Sequence, residues 1–185
     1  MSHRDVLDRI LDSRDVTTGG GSAAALAGAM GAGLMGMVAR LSAAKDYGDY
    51  GPMADELDRA AQDLLRGAEA DAEAYALIKA AYRLPREDKP ARDAAIQAAG
   101  MRAADVPLAN GTSCRRVLEL GWSLAGRSNP NAASDLQVGL ALARTGIEGC
   151  AANVRVNLGL IKDAAIRQDY ERRIGDLEGK GEGTW

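Results

Sequence analysis

The sequence predicts an all-α protein, a bundle of about five long helices joined by short turns. Three observations carry this. Apolar residues recur three or four apart through most of the chain, and no convincing alternating strand pattern appears. From Val16 to Ala39 there is no charged residue. Breakers such as Gly19-Gly20-Gly21, Leu84-Pro85 and Gly126 to Pro130 separate the periodic stretches.

Arg4 to Arg14 reads as a short amphipathic helix with Val6, Leu7, Ile10 and Leu11 on one side. After the glycines, Ser22 is suited to N-cap a central helix reaching Leu41. In that helix Leu26, Met30, Leu34, Met37 and Leu41 fall on one face, and Ala25, Ala29, Ala32, Gly36 and Ala39 on a neighbouring one of almost no side chain. Glycines inside a helix cost roughly 1 kcal/mol each against Ala, a cost that only close packing offsets. An uncharged run of this length has the length of a membrane span, but it is mostly Ala and Gly and contains no Ile or Phe, so it reads as the buried centre of a helical protein.

Lys45 to Pro52 reads as a polar loop, and Met53 to about Tyr82 as a second long helix. Asp88 caps the next helix, with Pro90 in its first turn and an expected course from Ala91 to Ala104. Val106-Pro107 is expected to kink or interrupt it, and Asn110-Gly111 to weaken it again before a helix from Ser113 to Ala125. A long helix follows from about Ala132 to Asp163, then a charged tail with one helical segment at Gln168 to Leu177. The chain thus reads as one helical domain over 1–185, with its core in 5–163 and its tail in 164–185.

Composition narrows the function. A net charge of −3 over 185 residues leaves no nucleic-acid footprint. The single His, His3, excludes most His-based catalysis and argues against a zinc site. Cys114 and Cys150 read as buried free thiols in a reducing compartment, and no secretory signal opens the chain, so the expectation is a cytoplasmic protein without membrane or metal. The Ala/Gly faces of the two central helices hold more small-residue surface than one five-helix protomer can use, which predicts a homodimer.

Two stretches carry candidate chemistry. Gly19-Gly20-Gly21-Ser22 is either a tight entry turn or an open helix start whose N–H groups face a polar ligand. In the last long helix, the narrow stripe Asp135, Gly139, Ala143, Gly146, Cys150, Asn153, Asn157 begins at a carboxylate and ends at two carboxamides. The Asn pair is either a helix–helix hydrogen-bond pair or the wall of a polar pocket. Asn129, Asn131 and Ser134 precede or open this helix, where Asn131 or Ser134 is suited to cap it and Asp135 to meet the helix dipole. Asp71 lies mid-helix near the apolar side, whereas Glu73 points to solvent.

Taken together, TGGGSAAALAGAMGAGL, DAEAYALIKAAYRLP, DVPLA, SNPNAASD and NVRVNLGLIKD, in that order, resemble the cyclodeaminase/cyclohydrolase family of folate enzymes, over about Asp5 to Asp163. Thr18 stands where that family usually has Pro, and Leu136-Gln137-Val138 where it usually has Ala-Gly-Val. The resemblance implies an all-helical fold, a dimer, and tetrahydrofolate as substrate, with no metal or further cofactor.

Two reactions are implied: hydrolysis of 5,10-methenyltetrahydrofolate to 10-formyltetrahydrofolate, and cyclodeamination of the 5-formimino form with release of ammonia. Hydrolysis is preferred here, since no formiminotransferase segment accompanies the chain. A non-catalytic helical assembly protein is the third reading. The bridged carbon is already cationic, so a carboxylate that takes a proton from water suffices. Asp135 is the first candidate for it and Asp71 the second. Asn153 and Asn157 are expected to hold the pterin or orient water, the glycine turn to hold a polar group, and Arg155 or Lys162 to pair with the glutamate tail.

Overall fold

Small residues decide how the helices meet. The computed structural model describes residues 2–179, which form six α-helices and a short 3-10 turn, with no strand among the described residues. The helices are α1 (His3–Leu11), α2 (Gly20–Ala43), α3 (Gly51–Tyr82), α4 (Lys89–Leu124), α5 (Ala133–Leu158) and α6 (Ala164–Gly179). The four long helices α2 to α5 form a ring in which each packs on the next and α5 closes back on α2. α1 and α6 lie outside it, mainly against α3 and α5 respectively.

α2 and α5 run antiparallel at backbone distance. A Cβ on Gly31 would stand 2.7 Å from the carbonyl oxygen of Gly139, and one on Gly146 only 3.1 Å from that of Ala24. Side chains at these positions would force the helices apart and open the core between them. The small face of α2, with Ala25, Ala29, Ala32, Gly36 and Ala39, is therefore the buried one. Of the larger stripe, Met30, Met37 and Leu41 face outward. α2 is the one described helix long and apolar enough to cross a membrane, but 67% of that stretch is buried inside the bundle. The seven-residue stripe Leu140, Ile147, Val154 and Ile161 is fully in the core, although Ile161 lies beyond the end of α5.

Several sequence expectations shift. α1 spans His3–Leu11 and is capped by Ser2, whose hydroxyl accepts from the Asp5 N–H at 3.3 Å, while Asp5 Oδ2 accepts from the Ser2 N–H at 2.9 Å. Only Val6 of its apolar side is fully buried, and Leu7 and Leu11 are exposed. α2 starts at Gly20 with Gly19 as its cap, so Ser22 is not the N-cap; it sits in the first turn with its hydroxyl turned toward α3. α5 stops at Leu158, where Gly159 and Leu160 turn the chain; Leu160 fits closely against Gly100 of α4. The tail helix runs Ala164–Gly179, longer than Gln168 to Leu177, and buries Tyr170, Ile174 and Leu177.

The largest correction is α4, which runs unbroken through Pro107 and Asn110-Gly111. Gly111 lies where a Cβ would meet Leu177 Cδ2 at 2.6 Å and Cys150 Cβ at 3.1 Å, so its missing side chain lets α5 and α6 close on α4. Tertiary packing thereby overrides the weak helix propensity of that stretch. Pro107 continues the helix because the carbonyl it leaves without a backbone donor finds another partner, described below.

Candidate active site

The open end of α2 meets the middle of α3. Ser22 Oγ donates to Asp71 Oδ2 at 2.8 Å, and the backbone N–H of Ser22 donates to the same carboxyl group. The first turn of α2 thus turns its free donors and its positive dipole end on Asp71. Burial nevertheless dominates and pushes the Asp71 pKa above the ordinary carboxylate range, with the Ser22 bonds only partly offsetting it. Gly21 makes this approach possible, since a Cβ there would stand 2.8 Å from Asp71 Cγ. The glycine turn therefore serves the protein's own carboxylate. Gly19 lines the adjoining space, while Gly20 is exposed with nothing near its would-be Cβ.

Asp71 opens onto a cleft of about 230 Å³ between the 16–19 segment, α3, α4 and the second half of α5. Tyr75 and Ile78 continue its α3 wall, and Asn153, Val156 and Asn157 form the wall opposite. Asn157 Nδ2 donates to Asn153 Oδ1 at 3.0 Å and to the Ala103 carbonyl at 2.7 Å. Both readings of the Asn pair hold at once, because the two side chains bond to each other and to a neighbouring helix and also face the cleft.

The Ala103 carbonyl is available for a simple reason. In a regular helix it would accept from the N–H of residue 107, and Pro107 has none. A helix-breaking residue thus supplies the anchor for Asn157. Pro107→Ala is expected to restore the backbone donor, to raise stability, and to release Asn157. The expected cost is a fall of about threefold to tenfold in any activity that needs this carboxamide. A thermal melt run beside an activity assay checks it, and activity unchanged in a stabilised variant would mean that Asn157 does not depend on this bond.

Cys114 and Cys150 are free and buried where α2, α4 and α5 pack together. A hydrogen bond between them, burial and the nearby Asp71 charge all push the Cys150 thiol up, which keeps it neutral and unreactive. No group of three or more His, Cys, Asp or Glu side chains among the described residues is placed to hold a metal ion.

The remaining candidates stand elsewhere. Asp135 is in the first turn of α5, eighteen residues before Asn153, or about 27 Å along the helix. The stripe that links them in sequence is the contact with α2, so one end cannot reach the other. Neither Asn131 nor Ser134 caps α5; Ala132 holds the cap position without a side-chain bond, and Asn129 Oδ1 accepts from the Asn131 N–H at 3.0 Å within the preceding turn. Asn129 is buried, held by a bond from its N–H to Ser42 Oγ at 2.9 Å, and lines a second cavity with Tyr47 and Gln137 at that far end. Arg155 grips Glu178 with bonds of 2.7 and 2.6 Å, and Lys162 pairs with Asp93 at 2.7 Å, both away from the cleft. In sequence, Tyr75 is one of the apolar positions of this helix and Lys79 one of its charges, and neither carries a chemical signature of its own. Their spacing of four and eight residues from Asp71 places them along the same side of α3.

The protein is thus an all-α bundle in which the start of α2 meets the half-buried Asp71 of α3 and a carboxamide pair stands across the cleft. Residues 3–176 match the formiminotransferase-cyclodeaminase family model, and the chain belongs to that family. It is 36% identical to a methenyltetrahydrofolate cyclohydrolase of Methylorubrum extorquens, over 97% of this chain and 90% of that protein. It is 32% identical to the formimidoyltransferase-cyclodeaminase of Sus scrofa, over 91% of this chain but only 33% of that longer protein. Its fold matches a formiminotetrahydrofolate cyclodeaminase from Thermotoga maritima with a TM-score of 0.76 and 26% identity, covering 90% of this chain and 83% of that one.

Proposed function

We propose that the protein hydrolyses 5,10-methenyltetrahydrofolate to 10-formyltetrahydrofolate, with Asp71 as the proton-accepting carboxylate. The observation that carries the reading is a carboxylate raised in pKa by burial, fixed by Ser22, at the edge of a cleft with two carboxamides across from it. The cyclohydrolase relative matches this chain over nearly the whole of both proteins.

A base with a raised pKa suits proton transfer near neutral pH. As water attacks the cationic carbon between N5 and N10, Asp71 takes one of its protons. The new C–O bond gives a neutral carbinolamine. The C–N5 bond then breaks, the electron pair stays on N5, and the proton held by Asp71 is delivered to that nitrogen. The hydroxyl proton is lost to solvent as the formyl C=O forms, which leaves N10 formylated. Asn153 and Asn157 supply donors and acceptors for the pterin edge, and the negative Asp71 faces the cationic substrate.

Loss of methenyl absorbance on mixing with the purified protein tests this reading. No acceleration over the buffer rate would remove it. The family relatives named as cyclodeaminases keep one other reaction in view. Release of ammonia from the 5-formimino substrate, without hydrolysis of the methenyl form, would assign that activity instead. Inactivity on both would return the chain to a helical assembly role.

A homodimer belongs to the same proposal. On the outer side, Met30, Met37 and Leu41 of α2 and Val138, Ala141 and Ala152 of α5 are exposed. Exposed apolar surface of this kind often marks a contact between proteins. Light scattering at micromolar concentration is expected to give twice the 19.3 kDa chain mass, and a purely monomeric mass would exclude the dimer.

A further inference from the structure

The folate reading requires a place for the anionic glutamate arm, and Arg155 and Lys162 are held in ion pairs elsewhere. Another cation lies one helical turn beyond Tyr75, a residue of the cleft wall. Lys79 follows Asp71 by two helical turns on α3, about 12 Å along the axis. Tyr75 lies between them, 40% exposed, and lines the cleft. Lys79 Nζ sits 5.9 Å from the centre of the Tyr75 ring.

The surroundings of Lys79 leave it free for a ligand. Among the described residues it enters no ion pair within 4.0 Å. The neighbouring anion is Asp15, which is held below the usual range first by the Thr17 hydroxyl and N–H and then by the charges of Arg9 and Lys79. Asp15 already bonds Thr17 at 2.7 Å through the backbone and stands 3.6 Å from Arg9. Glu73, the acidic residue nearest in sequence on α3, is exposed on the opposite side of that helix.

One side of α3 thus presents, in order, a carboxylate, an exposed aromatic ring and an ammonium group. A folate presents, in order, a cationic bridged carbon, an aminobenzoyl ring and a glutamate carboxylate. The spacing matches as well, since one aromatic ring, an amide and a short chain separate the bridged carbon from that carboxylate. We propose that Tyr75 and Lys79 form the subsite for the aminobenzoyl-glutamate arm, with Tyr75 against the ring and the Lys79 ammonium on the α-carboxylate. This subsite rests on the folate reading and fixes the direction in which the substrate lies.

The test compares 5,10-methenyltetrahydrofolate with 5,10-methenyltetrahydropteroate, which lacks the glutamate. Lys79→Met is expected to raise KM for the first about tenfold and to leave KM for the second within about twofold, with kcat little changed for either. Lys79→Arg is expected to keep most of the discrimination. An equal rise in KM for both substrates, or no rise for either, would overturn the subsite while leaving the hydrolase reading intact. A wild-type protein that turns over neither substrate would overturn both.

Discussion

Asp71→Asn is expected to lower the turnover of methenyltetrahydrofolate at least a hundredfold while the protein stays folded. General bases are typically worth about 10²–10⁴-fold in rate, and the carboxamide cannot accept the proton from water. Its shape is nearly that of the carboxylate, so the Ser22 hydroxyl keeps an acceptor in the same place. Asp135→Asn is the matched comparison. It removes a charge from the first turn of α5, some 27 Å from the Asn pair, and is expected to cost about 0.3–1 kcal/mol of stability through the dipole alone, with turnover barely moved. An inactive Asp135→Asn beside an active Asp71→Asn would reverse the assignment.

The same variant carries a pH signature. Because burial raises the pKa of Asp71 in the folded chain, the folded state holds this proton more tightly than the unfolded state does. That contribution to stability is fully present below the unfolded value and is lost as pH rises through the folded value. At neutral pH the ionised Asp71 therefore weakens the fold, and Asp71→Asn is expected to melt higher than the parent protein. The gain should shrink as the pH is lowered. Turnover of the parent should climb with pH through an apparent pKa above the ordinary carboxylate range. A variant that is both less active and less stable at every pH would place Asp71 in the fold rather than in the chemistry.

The helices were legible because their apolar spacing repeats over many turns, and α3 and α5 lie close to where that spacing puts them. What the spacing could not show was which face turns inward. In α2 the sequence shows a face of larger side chains beside a face of small ones, and the small face is the buried one, because α5 approaches to backbone distance at Gly31 and Gly146. α4 was misread at Pro107 because its rescue comes from Asn157, fifty residues away in sequence. The site was legible in part. Asp71 and the Asn pair are candidates in the sequence and line one cleft, whereas Ser22, expected as an N-cap, bonds Asp71 instead, and the stripe along α5 that joins Asp135 to the Asn pair marks the surface against α2. Lys79 and Tyr75 gave only a helical spacing, and their meaning depends on the cleft beside them.

Gly21 offers the sharpest separation between a plain turn and a functional one. A side chain there does not strain the backbone, since α2 has already begun. Its Cβ would instead stand 2.8 Å from both Asp71 Cγ and Oδ2, too close for a methyl carbon, which makes no hydrogen bond. Asp71 must then swing away from Ser22, losing both bonds that fix it. Gly21→Ala is expected to lower turnover at least tenfold and to alter the pH profile, because the carboxylate changes surroundings. Its stability should move little, as Ala's better helix propensity, roughly 1 kcal/mol, partly offsets the crowding. Gly20→Ala is the internal standard, with open space around the added methyl group and no cleft contact, and it is expected to keep full activity. If Gly21→Ala matched Gly20→Ala in both rate and pH profile, the carboxylate would not need its seat on α2, and the close approach of Gly21 would be packing alone.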